Sequence, residues 1–128
     1  MERTSLSAGL IIRKLLTESE AVTRHTRKIF PVATDTATLP YILYRRASLD
    51  QSPTKAGLPG ADTVEIEVNV YTEAYAEGVE LAEAVRAALD HATGQAGGVT
   101  MCSCLLTDGE EGWEDDACVQ SMTFTLKI

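Results

Sequence analysis

The sequence predicts an α+β domain: a mainly antiparallel sheet with two helices on one of its faces. Three observations carry that prediction. Val64, Ile66, Val68 and Val70 alternate strictly with Glu65, Glu67, Asn69 and Tyr71, as residues of a half-buried strand do. Met122, Phe124, Leu126 and Ile128 alternate in the same way with Ser121, Thr123, Thr125 and Lys127. Residues 5–18 and 72–90 instead repeat their apolar side chains every three to four positions. The predicted order is α-β-β-β-α-β-β.

The first helix is read over 5–18, with Ala8, Ile11, Ile12, Leu15 and Leu16 on its apolar stripe and Ser5 as its cap. Ile29-Phe30-Pro31 reads as a short strand, ended by a residue that cannot donate to a ladder. Tyr41–Leu49 and Val64–Tyr71 form the next two strands, a hairpin. Between them DQSPTKAGLPGAD holds two prolines, two glycines and almost nothing to bury, so a long excursion is expected there. The second helix spans 72–90, capped by Thr72, with Tyr75, Val79, Ala82, Val85 and Leu89 inward and Gly94 as its C-terminal cap. Val99–Leu106 and Val119–Ile128 close the domain as a second hairpin around an acidic loop.

The 128 residues are 45% hydrophobic and 23% charged, which fits one soluble domain over 1–128. At this length a chain buries about two-thirds of its unfolded surface, so no metal or disulfide framework is required. Eleven Lys and Arg against nineteen Asp and Glu leave a net charge of −8, which argues against nucleic-acid specificity and against a membrane partner. Cys102, Cys104 and Cys118 are odd in number, pointing to a reducing cytoplasm. The N-terminal stretch is too polar for a signal peptide, and no run approaches the roughly 20 apolar residues of a membrane span.

Candidates for chemistry are weak. His25 and His91 are the only histidines, and neither accompanies a Ser or Cys in a nucleophile motif. Cys102 and Cys104 are expected on one face of a strand, with Cys118 opposite about Thr107 on the other face, which makes a zinc site awkward. Asp108, Glu110, Glu111, Glu114, Asp115 and Asp116 crowd around Trp113 without the spacing of a calcium loop. Glu65 and Glu67 read as the wet side of a sheet. The glycines of TGQAGG follow a helix and so cannot cradle phosphate at a helix N-terminus. No catalytic residue, metal or cofactor is expected, and the chain is not read as an enzyme.

Charge is unevenly spread. Residues 1–46 carry eight Lys and Arg and four Asp and Glu; residues 47–128 carry three and fifteen. Basic Arg24, Arg27, Lys28, Arg45 and Arg46 thus stand against the acidic 108–116 segment. Separate patches of opposite sign favour head-to-tail association of identical copies.

The amphipathic first helix, Ile29-Phe30-Pro31, the LPYILY string at 39–44, the alternating 64–71 strand and the run from Tyr75-Ala76-Glu77 into LAEAVRAAL at 81–89 follow in a distinctive order. In that order the chain resembles the small tail-completion proteins of long-tailed phages and prophages. The resemblance implies a structural subunit that caps the tail tube, stops its polymerisation and forms the surface joining tail to head. It implies a homo-oligomeric ring, usually of six subunits, with the tail tube protein and a head-completion or connector protein as partners. It also implies a place in the virion tail, with assembly in the host bacterial cytoplasm. Arg24, Arg27, Arg45 and Arg46 are expected to meet Asp108, Glu110, Glu111, Glu114, Asp115 and Asp116 of the adjacent subunit. The loop residues Ser52, Pro53, Lys55, Gly57, Leu58 and Pro59 are expected to touch the tail tube or a neighbouring ring. The acidic Trp113 segment and the cysteines are not family features. The rival reading is a monomeric cytoplasmic adaptor, or a metal-binding protein using Cys102, Cys104 and Cys118 or the acidic 108–116 loop.

Overall fold

A computed structural model describes residues 3–32, 38–52, 58 and 60–128. A single 3-10 turn (Ser5–Ser7) leads into α1 (Gly9–Glu18) and α2 (Glu20–His25), followed by β1 (Ile29–Pro31), β2 (Tyr41–Gln51) and β3 (Asp62–Thr72). Then come α3 (Tyr75–Leu89), β4 (Gly94–Ala96), β5 (Val99–Met101), β6 (Ser103–Glu114) and β7 (Ala117–Lys127). The main sheet has the order β1-β2-β3-β7-β6, while β4 and β5 form a separate two-stranded ribbon. Among the described strands only the β1–β2 pair is parallel. The predicted class and order hold, and the structure adds α2 and the β4–β5 ribbon.

The core follows from the alternation. Val64, Ile66, Val68 and Val70 of β3 are fully buried, flanked by Ile42 and Tyr44 of β2 and by Met122, Phe124 and Leu126 of β7. Over them lie Ile11, Ile12 and Leu16 of α1, Val22 of α2, and Leu81, Val85 and Leu89 of α3. The α1 stripe is the predicted one, with Leu15 partly buried at its margin. α2 offers periodicity nothing to detect, because Val22 is its only buried residue. It is set locally: Ser19 caps it by accepting the Val22 N–H at 3.3 Å.

Several expected boundaries move for identifiable reasons. Ser5 is not a cap; it is buried and donates to the Asp62 carboxylate at 2.5 Å, while Thr4 caps the opening turn. Thr72 does not cap α3, because pairing with Cys118 keeps it in β3 and its hydroxyl turns to the Ala74 carbonyl at 2.8 Å. Thr72 also explains Gly78: a Cβ there would lie 2.8 Å from the Thr72 hydroxyl oxygen, so only glycine fits without displacement. The inward stripe of α3 is accordingly Gly78, Leu81, Ala84, Val85 and Leu89, and Tyr75 is exposed. Gly94 does not cap α3; the left-handed residue after its C-cap is His91, with φ at +65°. The TGQAGG glycines instead serve the ribbon, Gly97 and Gly98 turning it with φ of +58° and +84°.

Candidate functional site: two charged sheet edges

The acidic segment is strand, not loop. β6 pairs with β7 as far as Glu114 opposite Ala117, and the turn is Asp115-Asp116, both residues left-handed at φ +49° and +62°. Hydrogen bonding of the β7 backbone extends the ladder, so charge alone does not break it. Cys118 therefore lies opposite Trp113 and not near Thr107. By alternation along β7 it shares the helix-covered side with Leu126, whose partner across the ladder is Cys104.

One irregularity decides where the acids point. β6 carries a bulge between Leu106 and Asp108, so Thr107 and Asp108 together oppose Thr123. Before the bulge, Cys104 and Leu106 face the helices; after it, Asp108, Glu110 and Glu114 face the open side of the sheet. Glu111 and Trp113 fall on the helix side, opposite Gln120 and Cys118. One Glu111 oxygen accepts from both the Tyr75 hydroxyl and the Gln120 amide at 3.0 Å, which holds its carboxyl below the usual range. On the open face Tyr41 and Tyr71 stack with centroids 4.7 Å apart. Both phenols are pushed up by burial and then by the charge of Glu114 and Asp115, so the acidic turn is felt at the start of β2 and the end of β3.

β6 is an edge strand. Near its start the outer edge is covered: the Asp90 carboxylate accepts from the Leu106 N–H at 2.9 Å, and the His91 N–H donates to the Cys104 carbonyl at 2.7 Å. The Leu106 bond is the main reason the Asp90 carboxyl sits below its ordinary value. From Asp108 to Glu114 no other described strand pairs with the edge, and every side chain is exposed. Trp113 is 65% exposed there.

The basic residues gather at the far edge of the same sheet. Arg27 and Lys28 lead into β1, and Arg45 and Arg46 follow the stretch of β2 that β1 covers. Arg45 and Arg46 point to opposite faces: Arg45 pairs with Glu67 at 3.0 Å on the open side, and Arg46 donates to the Leu6 carbonyl at 2.9 Å. Lys28 is held by Thr38 at 2.6 Å. Arg24 belongs to α2, 3.9 Å from Glu20 in an exposed pair of little energetic weight. Of the expected contact loop, Ser52 and Leu58 are described, and Leu58 is exposed; Pro53, Lys55, Gly57 and Pro59 lie outside the described residues.

The thiols do not converge. Cys102 is exposed in the break between β5 and β6, Cys104 is buried, and Cys118 lies eight positions along β7 from the partner of Cys104, a span of roughly 27 Å at strand rise. Burial pushes the Cys104 thiol up to about 12, the opposite of what a metal-ligating thiolate needs. Among the described residues no group of three or more His, Cys, Asp and Glu is placed to hold a metal, and no helix is long and apolar enough to cross a membrane. His25 ends α2, and His91 lies 3.7 Å from Asp90 at the end of α3; neither meets a nucleophile.

Comparison with known proteins agrees with this architecture. No curated protein matches the sequence. Among solved structures, a chain described as "Virion of native gene transfer agent (GTA) particle" shares the fold at a TM-score of 0.76 and 13% identity, over 97% of this chain and 98% of that one. The family model described as "Tail completion protein gp17" matches residues 11–128, everything from the first core residue of α1 to the C-terminal Ile128. On that match, the chain belongs to the tail completion protein gp17 family.

Proposed function

We propose that this tail-completion protein closes the end of a phage-type tail tube as a ring of identical copies, six by the family resemblance. In this role it stops tube polymerisation and presents the surface that a head-completion or connector protein joins. The observation that carries the reading is topological: the acidic strand β6 and the basic β1–β2 region occupy opposite edges of one five-stranded sheet. Patches of opposite sign on opposite edges cannot neutralise one another within a chain, and between copies they give a heterologous contact that closes where the rotation allows. In the ring, Arg24, Arg27, Arg45 and Arg46 face Asp108, Glu110, Glu111, Glu114, Asp115 and Asp116 of the next subunit. Ser52, Pro53, Lys55, Gly57, Leu58 and Pro59 supply the contact to the tail tube or a neighbouring ring. The role is structural, with no catalytic step, and it is exercised in the virion tail after assembly in the host cytoplasm.

The test is negative-stain microscopy of the purified chain, alone and mixed with terminator-deficient tail tubes. Rings, or density capping one tube end, are the expected result. Arg45→Gln with Arg46→Gln should weaken both by tenfold or more while lowering the circular-dichroism melt only slightly, since the Arg45–Glu67 pair is partly exposed and glutamine sets no like charge against Glu67. Uncapped tubes with wild-type protein, or normal rings from the double variant, would count against the reading.

A further inference from the structure

Trp113 is the single tryptophan of the chain, and it stands 65% exposed on an unpaired acidic strand. An indole is large, rigid and able to anchor an interface once desolvated. At the opposite edge lies a hollow of about 380 Å³ lined by Leu6, Gly9, Pro31, Val32 and Tyr44 together with Arg45 and Arg46. Leu6 is 64% and Val32 67% exposed among the described residues, two large aliphatic side chains lining one hollow. The backbone adds a second, independent sign. Val32 holds φ at +65°, a conformation a β-branched residue adopts only under constraint, fixed here by its N–H to the Tyr44 carbonyl at 2.7 Å. Gly9 helps keep the hollow open, since it places no side chain against the Tyr44 ring.

We propose that Trp113 of one copy seats in the Leu6–Val32–Tyr44 hollow of the next, with the carboxylates around the indole meeting Arg46 beside it. The inference rests on the ring reading and names the anchor of its subunit contact. Charge favours this hollow over the larger one of about 600 Å³ beside Leu49, Leu58 and Ile128, where Arg3 is offset by Asp62. The lining of the chosen hollow includes two arginines and no acidic residue, and of the two it is Arg46 that lies on the Leu6 side, Arg45 being paired with Glu67 on the open face. Arg46 gives one N–H to the Leu6 carbonyl and keeps the rest of its fork for a carboxylate. Because knob and hollow sit at opposite sheet edges, one molecule cannot fill its own hollow with its own tryptophan.

The test uses two surface variants, Trp113→Ala and Val32→Glu, and the wild-type chain, with and without terminator-deficient tail tubes. Sedimentation and microscopy read assembly, and the lone indole reads its own burial by fluorescence. Wild-type emission should shift to the blue on assembly, and each variant alone should assemble at least tenfold more weakly. Mixed together, the variants should form a heterodimer and nothing larger, because Trp113→Ala keeps a hollow and Val32→Glu keeps a knob. Normal rings from either variant, or an indole that still emits as a solvated one within wild-type rings, overturn the anchor and leave the ring intact. Wild-type protein that neither self-associates nor caps tubes overturns both.

Discussion

From Ser103 to Leu106, β6 turns one side into the fold, with Cys104 buried opposite Leu126 and the outer edge tied by Asp90 and His91; from Asp108 to Glu114 the same strand is exposed throughout and its outer edge pairs with no described strand. The inner half is maintained by burial, and its sequence answers to packing. The outer half is maintained by the ladder to β7 and by the Tyr75–Glu111–Gln120 hydrogen bonds, so its side chains are released from the core and available to a partner. Free strand edges are normally blunted with charge against self-pairing, and six carboxylates within residues 108–116 do so here. Charge that prevents edge-to-edge aggregation also restricts the choice of partner to a basic one.

Three measurements break or sharpen this contrast. The largest effect belongs to the inner half: Phe124 is fully buried opposite Leu106, and Phe124→Ala should lower stability by about 3–5 kcal/mol in urea denaturation. A loss under 1 kcal/mol would mean that this half is not core. At the turn, Asp115 and Asp116 both hold positive φ, which Asn and Gly tolerate better, so Asp115→Asn with Asp116→Gly should stabilise by about 1 kcal/mol. The same change should weaken ring formation, separating what the turn needs for folding from what it supplies to a neighbour. The smallest effect is at the tie between the halves. The Asp90 carboxyl is held below its ordinary value chiefly by the Leu106 N–H, so its contribution is complete above the unfolded carboxylate range near pH 4 and is lost as pH falls through the lower folded value. Asp90→Asn should therefore lower Tm slightly at pH 7, and the two melting curves should converge as pH falls through the lowered Asp90 value; parallel curves would show that the tie does not depend on charge.

The same contrast explains what the sequence disclosed. β3, β7 and α1 were legible because periods of 2 and 3.6 survive wherever one face is buried. α2 was not, since a two-turn helix with Val22 alone inward leaves no period to read. The outer half of β6 was mistaken for loop because a fully exposed strand has no alternation and its turn uses two aspartates in place of Asn-Gly. Of the candidate site, the charged residues were legible by type, but the arrangement that gives them meaning was not. Arg45 and Arg46 landed on opposite faces, and the hollow beside them is assembled from residues 6, 9, 31, 32 and 44, which nothing in their spacing brings together. Tertiary packing makes that surface, and local sequence carries no trace of it.

The extra residue at Thr107 is a change of phase. Up to Leu106, even-numbered positions of β6 look toward the helices; from Asp108 onward, odd-numbered ones do. A relative without the extra residue must carry its surface acids on the other parity to build the same face. An alignment drawn straight through position 107 would then set this chain's exposed carboxylates against the relative's core positions, and a single gap placed there restores the match. A bulge of this kind is a shift of register, which percentage identity does not measure.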